Sequence, residues 1–199
     1  MKRITVGIEG VAPLLWHGFG NGGQEIDLPG ASKGRKTRMV SAAEEPTPRE
    51  AVEKVVYRDR AGHFVFPSTA ILRMVREAAA NHRVRGTRKS AKYLIPSAVF
   101  TVEELIVIRN GDGTTPAPDY EVDSRPVTIP TTKGRVMRHR ARWDCWSATF
   151  GLDLDEELFA PAFLQLLLEE GGRRVGIGDY RPEKGGPYGR FRVTSFQEA

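Results

Sequence analysis

The chain has 199 residues, 40% hydrophobic and 28% charged, an ordinary globular composition with enough length to bury a core without covalent staples. One cysteine, Cys145, excludes an internal disulfide framework, and the N-terminus MKRITVGIEG lacks the continuous apolar run of a signal peptide, so a soluble cytoplasmic protein is expected. The longest strongly apolar stretch, 163–168, is too short to span a bilayer, and the net charge of +5 is modest enough that its distribution matters more than its size.

Residues 3–9 alternate, with Ile4, Val6 and Ile8 on one side and Arg3, Thr5 and Glu9 on the other, which predicts a half-buried strand. The run VAPLLWHGF at 11–19 stays apolar around a proline and predicts a buried turn. Residues 20–50 are rich in glycine and charge without periodicity, and so long a stretch predicts a mobile loop insertion. Between 52 and 66, VVYRD and HFVF flank Arg60-Ala61-Gly62 and predict a strand pair. Ser68 is placed to cap a helix reaching about Asn81. Ile71, Leu72, Val75 and Ala79 form its apolar stripe, with Arg73, Arg76 and Glu77 pointing elsewhere.

A long strand is expected within 94–109, then a turn at 111–118. Residues 122–142 read as a hairpin whose return arm, RVMRHRAR, has no convincingly apolar face, so it is expected to project from the body. Trp146, Ala148, Phe150, Leu152 and Leu154 share one face of the clearest strand. A second helix follows, capped by Asp153 or Asp155, with Leu158, Phe159, Phe163, Leu166 and Leu167 buried and Gly171-Gly172 as its stop. A glycine-rich segment, 175–189, feeds a last strand over 190–196. Strand, helix, strand, repeated once, predicts an α+β fold of the ferredoxin-like kind (split βαβ, RRM-like) in a single domain over 1–199.

Fourteen of the thirty Lys and Arg residues fall in three runs, 33–38, 83–92 and 133–142, away from most acids. This segregation reads as a polyanion footprint, with Arg83, Arg85, Arg88, Lys89, Lys133, Arg135, Arg138, Arg140 and Arg142 as candidate contacts. The C-terminal segment adds Gly176, Gly178, Gly185, Gly186 and Gly189, interleaved with Arg181, Lys184 and Arg190. Glycine permits close backbone approach, successive amides in such turns form anion-binding nests, and interleaved arginines add charge-assisted bonds to phosphate. The segment follows a helix and opens a strand, which is the reverse of a dinucleotide-binding loop, and it has no GK[ST] of a Walker A motif. The four histidines lack metal-ligand spacing, so neither a metal nor a cofactor is expected.

A G-x-G…GG-x-x-G-R-F loop after the second helix, feeding the last strand of this order, resembles the RAMP superfamily of CRISPR-associated RNA-binding proteins. The resemblance implies a backbone subunit that polymerises head-to-tail along a guide RNA, or another single strand, alongside other effector subunits. It also implies that the hairpin acts as a thumb reaching the neighbouring copy. By the same resemblance His17 is a candidate general base for metal-independent RNA cleavage. Asp27 is a candidate for metal-assisted cutting of a target strand, although a packed histidine and a solvated loop acid are the plainer readings. Trp143, Tyr180 and Tyr188 are placed either to stack on bases or to pack the loop. The expected activity is binding without catalysis. The alternatives are a RAMP-type endoribonuclease and a module whose arginines meet an acidic protein.

Overall fold

The computed structural model describes residues 1–18, 46–84, 86–128 and 134–198. The N-terminal alternation becomes strand β1 (Lys2–Gly10), whose Ile4, Val6 and Ile8 are at most 1% exposed. β1 pairs antiparallel with both β9 (Ser147–Leu154) and β10 (Phe191–Glu198), and β5 (Val99–Thr101) pairs antiparallel with β9. The sheet order is therefore β10-β1-β9-β5. The register sets Ile4 beside Leu152, Val6 beside Phe150 and Ile8 beside Ala148, so the apolar residues of both central strands share one face.

Helices α2 (Thr69–Ala78) and α4 (Pro161–Arg174) join that apolar face in one core, through Ile71, Met74 and Val75 and through Leu164, Leu167 and Leu168. Arg3, Thr5 and Thr149, on the other face, are exposed. The fold is α+β, with α2 falling in the chain between β1 and β5 and α4 between β9 and β10. Among the described residues, no helix is long and apolar enough to cross a membrane.

Two smaller sheets flank this unit. In one, β2 (Leu14–Trp16) pairs with β8 (Arg135–Trp143), which pairs with β7 (Glu121–Thr128). In the other, β4 (Phe64–Pro67) lies between β3 (Tyr57–Arg58) and β6 (Leu105–Val107).

Several local expectations change. Residues 48–53, expected as loop and strand, form helix α1 (Pro48–Glu53), because Thr47 and Glu50 complete a reciprocal capping box and Pro48 suits the first turn. The single strand expected over 94–109 is broken into α3 (Ile95–Ala98), β5 and β6, and the two strands belong to different sheets. Ser68 stands at the N-cap of α2 without capping it, and its hydroxyl instead meets that of Thr101 at 3.0 Å. The second helix starts at Pro161, so neither Asp153 nor Asp155 caps it.

Gly171 and Gly172 do not stop α4 but lie buried within it. A Cβ at Gly171 would strike the Met74 sulfur, and one at Gly172 would strike the Phe191 carbonyl and ring. Two helix-interior glycines cost about 1 kcal/mol each. The close approach of α4 to α2 and β10 offsets that.

The hairpin projects only in part. Its base is stitched to β2, Leu14 opposite Trp143 and Trp16 opposite Ala141. Ala141 and Trp143 supply the apolar face that the rest of the return arm lacks, and both are buried. Pro126, Thr128 and Arg135 to Met137 are exposed.

Candidate nucleic-acid interface

The segment between α4 and β10 is a loop of positive-φ turns. Gly176, Gly178, Gly185 and Gly189 all take positive φ, and so does Tyr180 at +48°. At Gly178 the requirement is double: φ is +78°, and a Cβ would run into the Leu15 carbonyl. Gly186 needs no positive φ, but a Cβ there would strike the Tyr180 carbonyl.

These turns close the loop on itself, onto Pro13 between β1 and β2, and onto β2. Ile177 donates to the Gly189 carbonyl at 2.9 Å, Gly185 to Pro182 at 2.9 Å and Gly186 to Arg181 at 3.1 Å. Asp179 donates to Leu15 at 2.7 Å and Gly189 to Pro13 at 2.8 Å. Amides so engaged are not free for phosphate, so at these positions the nest expected from the sequence gives way to internal closure. What the loop presents outward is side chains.

The basic side chains divide into held and free. Arg140 is 4% exposed, and its Nε donates to Asp179 at 2.6 Å while Nη1 lies 4.0 Å from Asp123. Arg181 donates to Glu183 at 2.7 Å and 3.0 Å and to the Gly178 carbonyl at 2.8 Å. Arg142 is paired with Asp144 at 2.6 Å. Arg138 reaches Asp179 only at 4.0 Å and is 42% exposed. Lys184 is exposed beside Glu183, and Arg190 is exposed with one bond to the Pro187 carbonyl.

Arg135, Arg83, Arg88 and Lys89 are exposed and have no carboxylate partner among the described residues. Arg85, Lys133 and Asp27 lie outside the described residues.

Burial pushes Asp179 up, but the hydrogen bond and charge of Arg140, the Tyr180 amide and Arg138 together hold its carboxyl below the usual range. Burial acts likewise on Glu183, where Arg181, Arg73 and Lys184 win and keep it ionised. Asp123 is buried and bonded to Arg125 at 2.8 Å. The Arg125 guanidinium in turn lies 5.0 Å over the Tyr188 ring. Hairpin and loop are thus joined by a chain of charges that is buried at Arg140 and Asp123.

The aromatic alternatives separate. Trp143 is 4% exposed and packs edge-on to Phe64 and Tyr120, so it belongs to the core. Tyr188 is also buried, while Tyr180 is 42% exposed.

Beside the loop opens a cavity of about 710 Å³ between α2, the start of β5 and residues 176–183. Its lining includes Trp16, His17, Tyr57, Arg73, Arg76 and Asp179. Burial first, and then the charges of Arg138 and Arg140, lower the His17 pKa against the opposing pull of Asp179, so its imidazole is neutral at neutral pH. Sequence reasoning missed Arg73 and Arg76. They stand at i and i+3 on α2, opposite the apolar stripe, and that spacing was the available signal. Arg73 meets Glu183 across the cavity at 3.2 Å, and Arg76 is exposed. Among the described residues, no three His, Cys, Asp or Glu side chains gather where they could hold a metal ion.

No protein-family model and no curated protein matches the chain. Among solved structures, it is similar to a chain in the cryo-EM structure of Type III-B Cmr-beta bound to cognate target RNA, with TM-score 0.54 and 13% identity. The match covers 99% of this chain and 60% of that one, so the chain spans about three fifths of its structural neighbour.

Proposed function

We propose that the chain holds a single strand of RNA, as a backbone-type subunit of a ribonucleoprotein complex, and performs no chemistry on it. The observation that carries this reading is a cavity walled by the glycine loop and the cationic side of α2, with the hairpin base held to the loop through Arg140 and Asp179. The strand lies along the exposed cations Arg76, Arg135, Arg138, Lys184 and Arg190, and the charge chain through Arg140 and Asp179 keeps hairpin and loop aligned behind it. Contacts of this kind go to phosphate and carry no sequence information.

The sheet order β10-β1-β9-β5, with one helix in each half, supports a ferredoxin-like core, and with the loop's position it supports RAMP kinship. A structural neighbour from a complex bound to cognate target RNA supports RNA over DNA. On this reading the protein works in the cytoplasm, and copies of it follow one another head-to-tail along the strand. The test is purification under low salt, with the 260/280 absorbance ratio read before and after ribonuclease. Nucleic acid lost to ribonuclease but not to deoxyribonuclease is expected. A protein-only ratio, with no affinity for added single strands, overturns the reading.

A second reading is favoured by the neutral His17 imidazole in the cavity wall, which suits a general base. Labelled hairpin RNA incubated without metal decides it, since cleavage lost in His17→Ala would make the protein an endoribonuclease.

A further inference from the structure

The cavity beside the glycine loop is larger than a grip on strand phosphates requires. Phosphate contacts need only cations on a surface, whereas about 710 Å³ is the size of a pocket that takes up most of a small molecule. Its lining combines three kinds of chemistry. Tyr57, Pro67 and Leu72 are half-buried and supply apolar and aromatic surface, with the Tyr57 ring held at 6.4 Å from that of Trp16 in an edge contact. Asp179 and Glu183 supply two carboxylates, which burial pushes up and the neighbouring arginines hold below the ordinary range. Arg73, Arg76 and Arg181 supply three guanidiniums.

The guanidiniums are not equally free. Glu183 holds Arg181 at 2.7 Å and Arg73 at 3.2 Å, while Arg76 is exposed and has no carboxylate partner among the described residues. With His17 neutral, three guanidiniums against two carboxylates leave the lining one positive charge, and Arg76 carries it.

Each part of the lining selects a part of a ligand. One uncompensated guanidinium suits a single phosphate and is too little for a triphosphate. An ionised carboxylate only accepts hydrogen bonds, so it repels anions and takes hydroxyl or amino donors. Asp179 has capacity left for such a donor. Its Oδ2 accepts from Arg140 at 2.6 Å and its Oδ1 from the Tyr180 amide at 3.0 Å, and each oxygen has a second lone pair. Apolar surface beside an aromatic ring suits a planar aromatic body. A planar base, hydroxyl donors and one phosphate, in one molecule of this size, make a nucleoside monophosphate.

We propose that the cavity binds one nucleoside monophosphate, with its phosphate on Arg76 and Arg73, its ribose hydroxyls toward Asp179 and its base against Tyr57 and Leu72. Such a site deepens the strand reading at the same cavity: it adds to a track of phosphate contacts a seat for one whole nucleotide, which either arrives free or belongs to the strand.

Isothermal titration of the full chain at low salt, with adenosine 5′-monophosphate and uridine 5′-monophosphate as probes, tests it. One-to-one binding of at least one of them is expected, roughly tenfold tighter than binding of the matching nucleoside or of ribose 5-phosphate. The matching nucleoside triphosphate should bind no tighter than the monophosphate. Arg76→Ala should weaken binding roughly tenfold, and because Arg76 is exposed its loss should leave the circular dichroism unchanged. Hydrogen exchange locates the site: the bound nucleotide should slow exchange within 69–76 and 176–183 and leave 121–128 as it was. No binding of either nucleotide at millimolar concentration, equal affinity for the nucleoside, an unaffected Arg76→Ala variant, or protection confined to the hairpin overturns the proposal. A short RNA without a terminal phosphate, added in competition, separates the two sources. If it displaces the mononucleotide, the cavity seats a unit of the strand, and if both bind together, it seats a free nucleotide. The same RNA titrated alone keeps the two readings apart. RNA bound with no nucleotide bound refutes the nucleotide site alone, and nucleotide bound with no RNA bound refutes strand binding alone.

Discussion

Replacing Arg140 by methionine separates a structural role from a strand contact. The side chain is 4% exposed and sits between Asp179 at 2.6 Å and Asp123 at 4.0 Å. Methionine keeps much of the stem volume and removes the charge, leaving the buried Asp123 and the half-buried Asp179 without it. Breaking a buried pair in this way costs about 3 to 5 kcal/mol. Asp123 retains Arg125 at 2.8 Å and Asp179 retains the Tyr180 amide at 3.0 Å, so the low end applies, about 3 kcal/mol. For a chain of this length that is a fall in Tm of roughly 6 to 12 °C. The loss should depend on pH. Asp179 is held below its ordinary value in the fold, so its contribution is complete above that value and disappears as the pH falls through the lowered one. Without Arg140 burial prevails and the carboxyl rises. The gap between wild type and variant should therefore be widest near neutrality and close below about pH 4. Thermal melts followed by circular dichroism, at neutral pH and in acid, measure it. A Tm within about 2 °C of wild type at neutral pH, with strand affinity reduced, refutes the reasoning and makes Arg140 a phosphate contact.

Affinity for a single strand should fall linearly with log salt, and Arg76→Ala or Arg135→Ala should each flatten the slope by about 0.7 equally on unrelated sequences. A loss confined to one sequence would mean base readout. Gly185 has φ +76° and open space around its Cβ position, so Gly185→Val should fold with strain of about 1 to 2 kcal/mol and bind more weakly. Gly186→Val should distort the loop, because its Cβ meets the Tyr180 carbonyl; equal melting temperatures for the two would contradict this geometry. Excising 127–136 retains Arg140 and should leave a folded chain that binds short RNA without building larger complexes, whereas excising 126–140 also removes Arg140 and should lower Tm. Mass photometry on a ladder of RNA lengths checks the first half, and growth with length in the shorter deletion would sink it.

Periodicity made the main sheet legible. The alternations through Ile4 to Ile8 and Trp146 to Leu154 are strong because each strand has one buried and one wet face. It failed where the chain changes role within a few residues. Ile95-Pro96 opens a helical turn, β5 joins the main sheet, and β6 joins another, all within what reads as one long strand. Helix α1 was readable from Thr47, Pro48 and Glu50, but these stood at the end of a featureless stretch that suggested loop. For the site, the basic residues could be found and their status could not. Asp179 reaches Arg140 across 39 positions and Arg73 reaches Glu183 across 110, and nothing local distinguishes a neutralised arginine from a free one. The glycines misled in a similar way. Their positive φ was foreseeable, but the destination of the neighbouring amides depends on Pro13 and Leu15, which only the tertiary fold brings near.

The inward turn of those amides changes what the loop contributes to binding. A nest of free N–H groups would hold an anion by itself, with an affinity set by the backbone and little affected by distant charges. Here Asp179, Ile177 and Gly189 use their amides to fasten the loop to itself, to Pro13 and to Leu15 of β2, so it acts as a shaped wall. The attraction must then come from exposed arginines and lysines, and several of the candidates are already matched by acids: Arg140, Arg142 and Arg181 by Asp179, Asp144 and Glu183. Among the described residues these pairings remove three candidate cations from the strand, and the chain's net charge of +5 adds little long-range pull. Weak contacts of this sort become useful when they are repeated, because a second copy seated beside the first on the same strand binds at high effective concentration. The neutralisation of these three arginines in one copy is thus a physical reason to expect several copies on one strand.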